Sequence, residues 1–130
     1  MASPCRGEAA AMHILCKRAY APAGEGDGQR FLVDRLWPRG VSRQALQACW
    51  IKDVAPSDAL RRWFDHRPER WDEFRSRYSS ELAAQPGRLA ALRDAIDAGP
   101  VTLVFAARDE QYNQARVLRD YLLAHPRRRR

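Results

Sequence analysis

The run VTLVFAA, Val101 to Ala107, is apolar at every position except Thr102. Announced by Gly99 and Pro100, it predicts a strand covered on both faces rather than one with a wet side. Such strands need helical layers above and below them, which directs the chain toward the α/β class. Two more segments supply partners for it. HILCKR, His13 to Arg18, reads as a first strand, and Arg30 to Leu36 as a second. The connection APAGEGDG, Ala21 to Gly28, is a Pro/Gly surface loop expected to be mobile.

Helices are legible between and after these strands. Ser42 predicts the cap of a short helix reaching Ala48 or Trp50, and Ser57 that of a second ending at Phe64. Pro68 suits the first turn of a third, in which Trp71, Phe74, Tyr78 and Leu82 recur at spacings of three and four as a core stripe. Leu89, Leu92 and Ile96 mark a fourth that stops at Gly99, and Ala115, Leu118 and Leu122 a fifth. The expectation is a small single α/β domain over residues 12–125, its short, mainly parallel sheet packed by about five helices in two or three layers.

Composition narrows the function. With 130 residues the chain suits one domain with a real core. No apolar run approaches the roughly 20 residues of a membrane span, and MASPCRGEAAA lacks the apolar stretch of a signal peptide, so a cytoplasmic location is expected. Cys5, Cys16 and Cys49 are scattered, and His13, His66 and His125 share no ligand spacing with them, so neither a disulfide framework nor a metal site is expected. The net charge of +7 includes the terminal run Arg127 to Arg130; removing those four from 23 basic residues leaves 19 against 16 acidic. Residues 126–130 therefore read as a basic disordered tail and residues 1–11 as a flexible extension. No cofactor is expected: GEGDG lacks the lysine of a phosphate-binding loop, and Glu25 and Asp27 repel phosphate.

The site is expected where strands end in charge. RFLVDRLWPRG begins as a buried strand and then delivers Asp34, Arg35, Trp37, Pro38, Arg39 and Gly40; the third strand delivers Arg108 and Asp109, followed by Asn113. In open α/β sheets ligands bind beyond the carboxyl ends of the strands. If the strands are parallel neighbours, Arg35, Arg39 and Arg108 share a rim with the N-terminus of the last helix, an arrangement that favours anions. A plainer reading stands beside it: Asp34 pairs with Arg18 or Arg108, Asp109 caps the last helix, and Trp37 plugs the core.

The blocks CKRAYAP, FLVDRLWPRGVS, WIKDVAPSDALRRWFDHRPERWDEFRSRY and LVFAARDEQYNQARVLRDYL resemble the YeaO-like bacterial family, known as domain of unknown function 488. The resemblance implies a small α/β protein and carries no established activity. Its pattern falls on Asp34, Arg35, Trp37, Pro38, Arg39 and Gly40, on Lys52, Pro56, Ser57, Trp63, Phe64 and His66, and on Ala107 and Asn113. Where family members often place histidine after that asparagine, this chain has Gln114, which hydrogen-bonds but does not shuttle protons. Met12 matches the family's usual start.

Two classes of function follow. In the first, Arg35, Arg39, Gly40, Arg108 and Asn113 hold an anionic small molecule against Trp37, with Asp34, His66 and Asp109 as candidate proton-handling groups, with or without catalysis. In the second, Trp37 stacks a base while the arginines and the tail contact nucleic-acid phosphates. The small body charge favours the first. For His66 the alternative is a purely local role closing the helix that ends at Phe64. For Cys16, whose neighbour Lys17 would favour a thiolate, it is an inert place on a core strand.

Overall fold

The uniformly apolar run lies at the centre of the sheet. In the computed structural model, which describes residues 13–126, four strands pair in the order β1-β4-β2-β3, all parallel. They are β1 (Ile14–Arg18), β2 (Gln29–Leu32), β3 (Cys49–Trp50) and β4 (Val101–Phe105). Every residue of β4 is buried, and Leu103 sits in register between Cys16 and Phe31. The expected extension, residues 1–11, and Arg127 to Arg130 of the expected tail lie outside the described residues.

Among the described residues there are five α-helices: α1 (Arg43–Leu46), α2 (Asp58–Phe64), α3 (Trp71–Ala84), α4 (Ala90–Ala98) and α5 (Gln114–Ala124). Alternation along the strands splits the core in two. Ile14, Phe31, Leu103 and Phe105 face a large core built with α2 to α5, including Phe74, Tyr78, Leu92 and Leu118. Ala19, Leu32 and Val104 face a small one covered by Leu46 of α1 and by Trp37. The α/β class, the parallel sheet and the five helices are as the sequence predicts, with nearly all of the helical mass on one face.

Three boundaries differ from expectation. The second strand ends at Leu32 rather than Leu36: the Val33 N–H still reaches Val104 O at 3.0 Å, but the chain then turns as Asp34 spends its carboxylate on the neighbouring strand end. The third strand likewise stops at Phe105, two residues before the predicted Ala107. The first helix, capped by Ser42 Oγ, closes after one turn because Gln47 adopts φ 51°, and Cys49–Trp50 becomes a fourth strand instead of a helix end. The Ile51 N–H bonds Leu32 O at 3.0 Å and the Trp50 indole N–H bonds Asp34 O at 2.8 Å, which hold β3 on the edge of β2.

The Pro/Gly loop is anchored at its centre. Asp27, 4% exposed, accepts from the Gly24 N–H, from Lys17 Nζ at 3.1 Å and from Arg30 Nη1 at 2.6 Å. Burial raises its carboxyl, but the Gly24 N–H and the two cations outweigh that and hold it below the ordinary carboxylate range. Gly28, which ends the loop at φ 64°, has room for no side chain: a Cβ there would lie 2.1 Å from Pro100 O.

Candidate functional site

The connections that follow β2 and β4 leave on opposite sides of the sheet. After β2 the chain passes through α1 on the small-core face to reach β3; after β4 it returns as α5, which packs against β1 and β4 on the other. Between the two departures a crevice opens at the carboxyl ends of adjacent strands, the position where open α/β sheets hold ligands. Here it is a cleft of about 460 Å³.

Asp34 is the hub of its floor. One carboxylate oxygen accepts the Ala106 N–H at 2.8 Å, and the other accepts from Gln114 Nε2 at the first turn of α5. Its own carbonyl receives the Trp50 indole. One residue thus joins the ends of β2 and β4, the start of α5 and the edge strand. Burial pushes its carboxyl up to about 6, with the Ala106 N–H and the Arg61 guanidinium pulling the other way. The plainer expectation of a pair with Arg18 or Arg108 is corrected: Arg18 Nε donates to Ala107 O at 3.0 Å, and Asp34 has no ion-pair partner among the described residues.

The rest of the D-R-L-W-P-R-G block divides between support and lining. Arg35 donates through Nε and Nη2 to Pro56 O, both at 3.2 Å, fixing the wall that leads into α2. Trp37 donates to Val41 O at 2.6 Å and packs on the small core while also lining the cleft. Arg39 has its carbonyl tied by the Tyr20 hydroxyl at 3.1 Å, and its exposed guanidinium has no partner among the described residues. Gly40 lies outside the lining and turns the chain at φ 79°.

The opposite wall comes from α2 and its exit, held by contacts that explain several further pattern residues. Ser57 Oγ caps α2 through the Leu60 N–H and bonds Glu81 at 2.6 Å. The guanidinium groups of Arg70 and Arg77 lie over the Trp63 ring, at 5.1 and 4.5 Å from its centre. Lys52 sits over the Trp50 ring at 4.9 Å. Beyond Phe64, Asp65 and His66 both take left-handed backbone, φ 50° and 54°, each costing on the order of 1 kcal/mol outside glycine. Asp65, not His66, is the C-cap, its N–H bonding Arg61 O. The strained pair leaves the His66 ring exposed at the cleft, against Phe64 at 6.2 Å.

The β4–α5 loop is arranged differently from expectation. Asn113, not Asp109, caps the last helix, its side-chain oxygen accepting the Arg116 N–H at 3.2 Å; it is buried and lines the cleft. Asp109 instead accepts the Gln111 and Tyr112 N–H groups, both at 2.9 Å. Those bonds, led by Tyr112, hold its carboxyl low, with His66 adding to the effect. Asp109 and Arg108 lie outside the lining, and Arg108 is exposed.

The cleft therefore gathers Asp34, Arg35, Trp37, Arg39, His66 and Asn113, and leaves out Gly40, Arg108 and Asp109. It adds Arg61 and Arg62, which the strand-end reading missed because they reach the cleft only through the packing of α2, and Tyr112, which comes from the loop after β4 beside Asn113. Cys16 is on the large-core side, its Sγ 3.6 Å from Ala115 O; burial raises the thiol to about 11, the signature of an inert place rather than a nucleophile.

Fold and site together define a small parallel α/β domain with an arginine-lined cleft at its strand switch point. The chain belongs to the DUF488-N3i family, described as the inactive DUF488-N3 subclade, whose model matches residues 13–130. Uncharacterised protein YeaO of Escherichia coli K12 is 41% identical over 112 residues, 85% of this chain and 97% of YeaO. Uncharacterised proteins Mb3100c of Mycobacterium bovis and Rv3073c of Mycobacterium tuberculosis are each 45% identical over 110 residues, 84% of this chain and 92% of theirs. No solved structure gives a significant match. Among the described residues, no helix is long and apolar enough to cross a membrane.

Proposed function

We propose that this protein binds a small anionic molecule in the strand-end cleft and does so without turning it over. The observation that carries the reading is the set of four arginines, Arg35, Arg39, Arg61 and Arg62, around one cleft whose acidic lining is limited to Asp34 and Asp65. Guanidinium groups in a concave, partly desolvated place favour carboxylate or phosphate oxygens. Arg39 has no partner to give up, and Arg61 and Arg62 share the single carboxylate of Asp58. Binding without chemistry is supported by the family's description as an inactive subclade.

Calorimetric titration with inorganic phosphate tests the proposal. Replacing Arg39 and Arg61 together by Ala removes two exposed cations, leaves Arg35 on Pro56 O, and is expected to weaken binding roughly 10- to 100-fold at about 1.5–3 kcal/mol per charged hydrogen bond, allowing for overlap between the two. Failure of the wild type to bind phosphate or short carboxylates, or equal affinity in the double variant, would overturn it.

A further inference from the structure

We infer that the anion in this cleft is carried on a flat aromatic body, whose ring lies against Leu36 and Tyr112 while its charge faces Arg39 and Arg61. The inference rests on the anion-binding reading and adds the class of ligand to it.

Among the described residues the large exposed hydrophobics are Leu15, Tyr20, Leu36, Trp50 and Tyr112, and two of these line the cleft. Leu36 is the most exposed of the five at 64% and comes from the loop after β2; Tyr112, at 37%, comes from the loop after β4. A lone exposed apolar side chain is ordinary, but here two from separate loops line one cleft together with Phe64 and Phe74.

Tyr112 is held in place rather than stranded there. Its backbone N–H is tied to Asp109, and its ring lies 5.1 Å from Trp71. Trp71 stacks on Phe74 at 5.8 Å, and Phe74 stacks on Phe64 at 4.3 Å. The row runs from the buried core to the cleft and positions its last ring with little freedom left to lose, so a second aromatic ring docking on it pays a small ordering cost. The Tyr112 hydroxyl has no partner among the described residues. The volume of about 460 Å³ belongs to organic ligands, and a bare phosphate would leave the apolar lining residues wet.

The test compares three phosphates of similar charge, phenyl phosphate, glycerol phosphate and inorganic phosphate, on the wild type, Tyr112→Ala and Tyr112→Phe. Phenyl phosphate is expected to bind the wild type at least 10-fold more tightly than glycerol phosphate. Tyr112→Ala should abolish that preference, bringing phenyl and glycerol phosphates to within about 3-fold of each other, and Tyr112→Phe should keep it. Equal affinity for phenyl and glycerol phosphates, or a preference that survives Tyr112→Ala, overturns the aromatic assignment while the anion site stands. Absence of binding by all three overturns the anion reading and this inference together.

Discussion

Asp34 carries more of the architecture than any other polar residue at the strand ends, and its ionisation sets a stability trend with an unusual sign. A carboxyl raised in the folded state favours the neutral form, so its contribution is most favourable below the ordinary carboxylate range. It is lost as pH rises through about 6. Asp34→Asn keeps an acceptor for the Ala106 N–H and, with the Gln114 amide turned over, a donor toward it. The variant is expected to be more stable than wild type at pH 7.5, by up to about 3 kcal/mol, and to lose that advantage at pH 4. Thermal unfolding at both values checks it; an advantage independent of pH would assign the effect to packing. Asp27 should behave in the opposite way. Asp27→Asn leaves Lys17 and buried Arg30 without their carboxylate and is expected to cost about 3 kcal/mol in urea unfolding at pH 7. The effect of Asp27 should fade in acid, because a carboxyl held low loses its contribution as pH falls through its folded value.

At the scale of elements, caps determine where the cleft's walls stand. Asn113→Ala removes the cap of α5 and is expected to cost about 1 kcal/mol. Ser57→Ala removes both the α2 cap and the bond to Glu81 and should cost about 2 kcal/mol. Urea unfolding gives both values, and a smaller loss for Ser57→Ala than for Asn113→Ala would contradict the double role. The elements most legible in the sequence are those with long periodic or uniform patterns: β4 from VTLVFAA, α3 from Trp71, Phe74, Tyr78 and Leu82, α2 from its Ser57 cap. What was not legible depended on contacts distant in sequence. Nothing local in Cys49–Trp50 signals a strand, because its place is set by Leu32 and by the bond from the Trp50 indole to Asp34. The same holds for the site. Asp34, Arg35 and Arg39 follow β2 directly and were found, whereas Arg61 and Arg62 reach the cleft only through the packing of α2. Asp109 looked like a cap by position, but the four residues after it form the turn that makes Asn113 the cap.

On the scale of the whole molecule, one helix-rich face and one thin face leave the strand ends open at the point where the β2 and β4 connections part. That placement, rather than net charge, accounts for where an anion would go. Removal of Arg127 to Arg130 is therefore expected to leave phosphate affinity unchanged, whereas a nucleic-acid role for the tail predicts a steep loss together with a strong salt dependence. The most direct measurement is a titration of the isotopically labelled full-length protein with phenyl phosphate, followed by amide chemical shifts. The account predicts saturable shifts concentrated at Asp34 to Arg39, Arg61 to His66 and Ala106 to Gln114, with Arg127 to Arg130 unmoved. Shifts confined to the tail, or spread over the surface without saturation, would contradict a site at the strand ends.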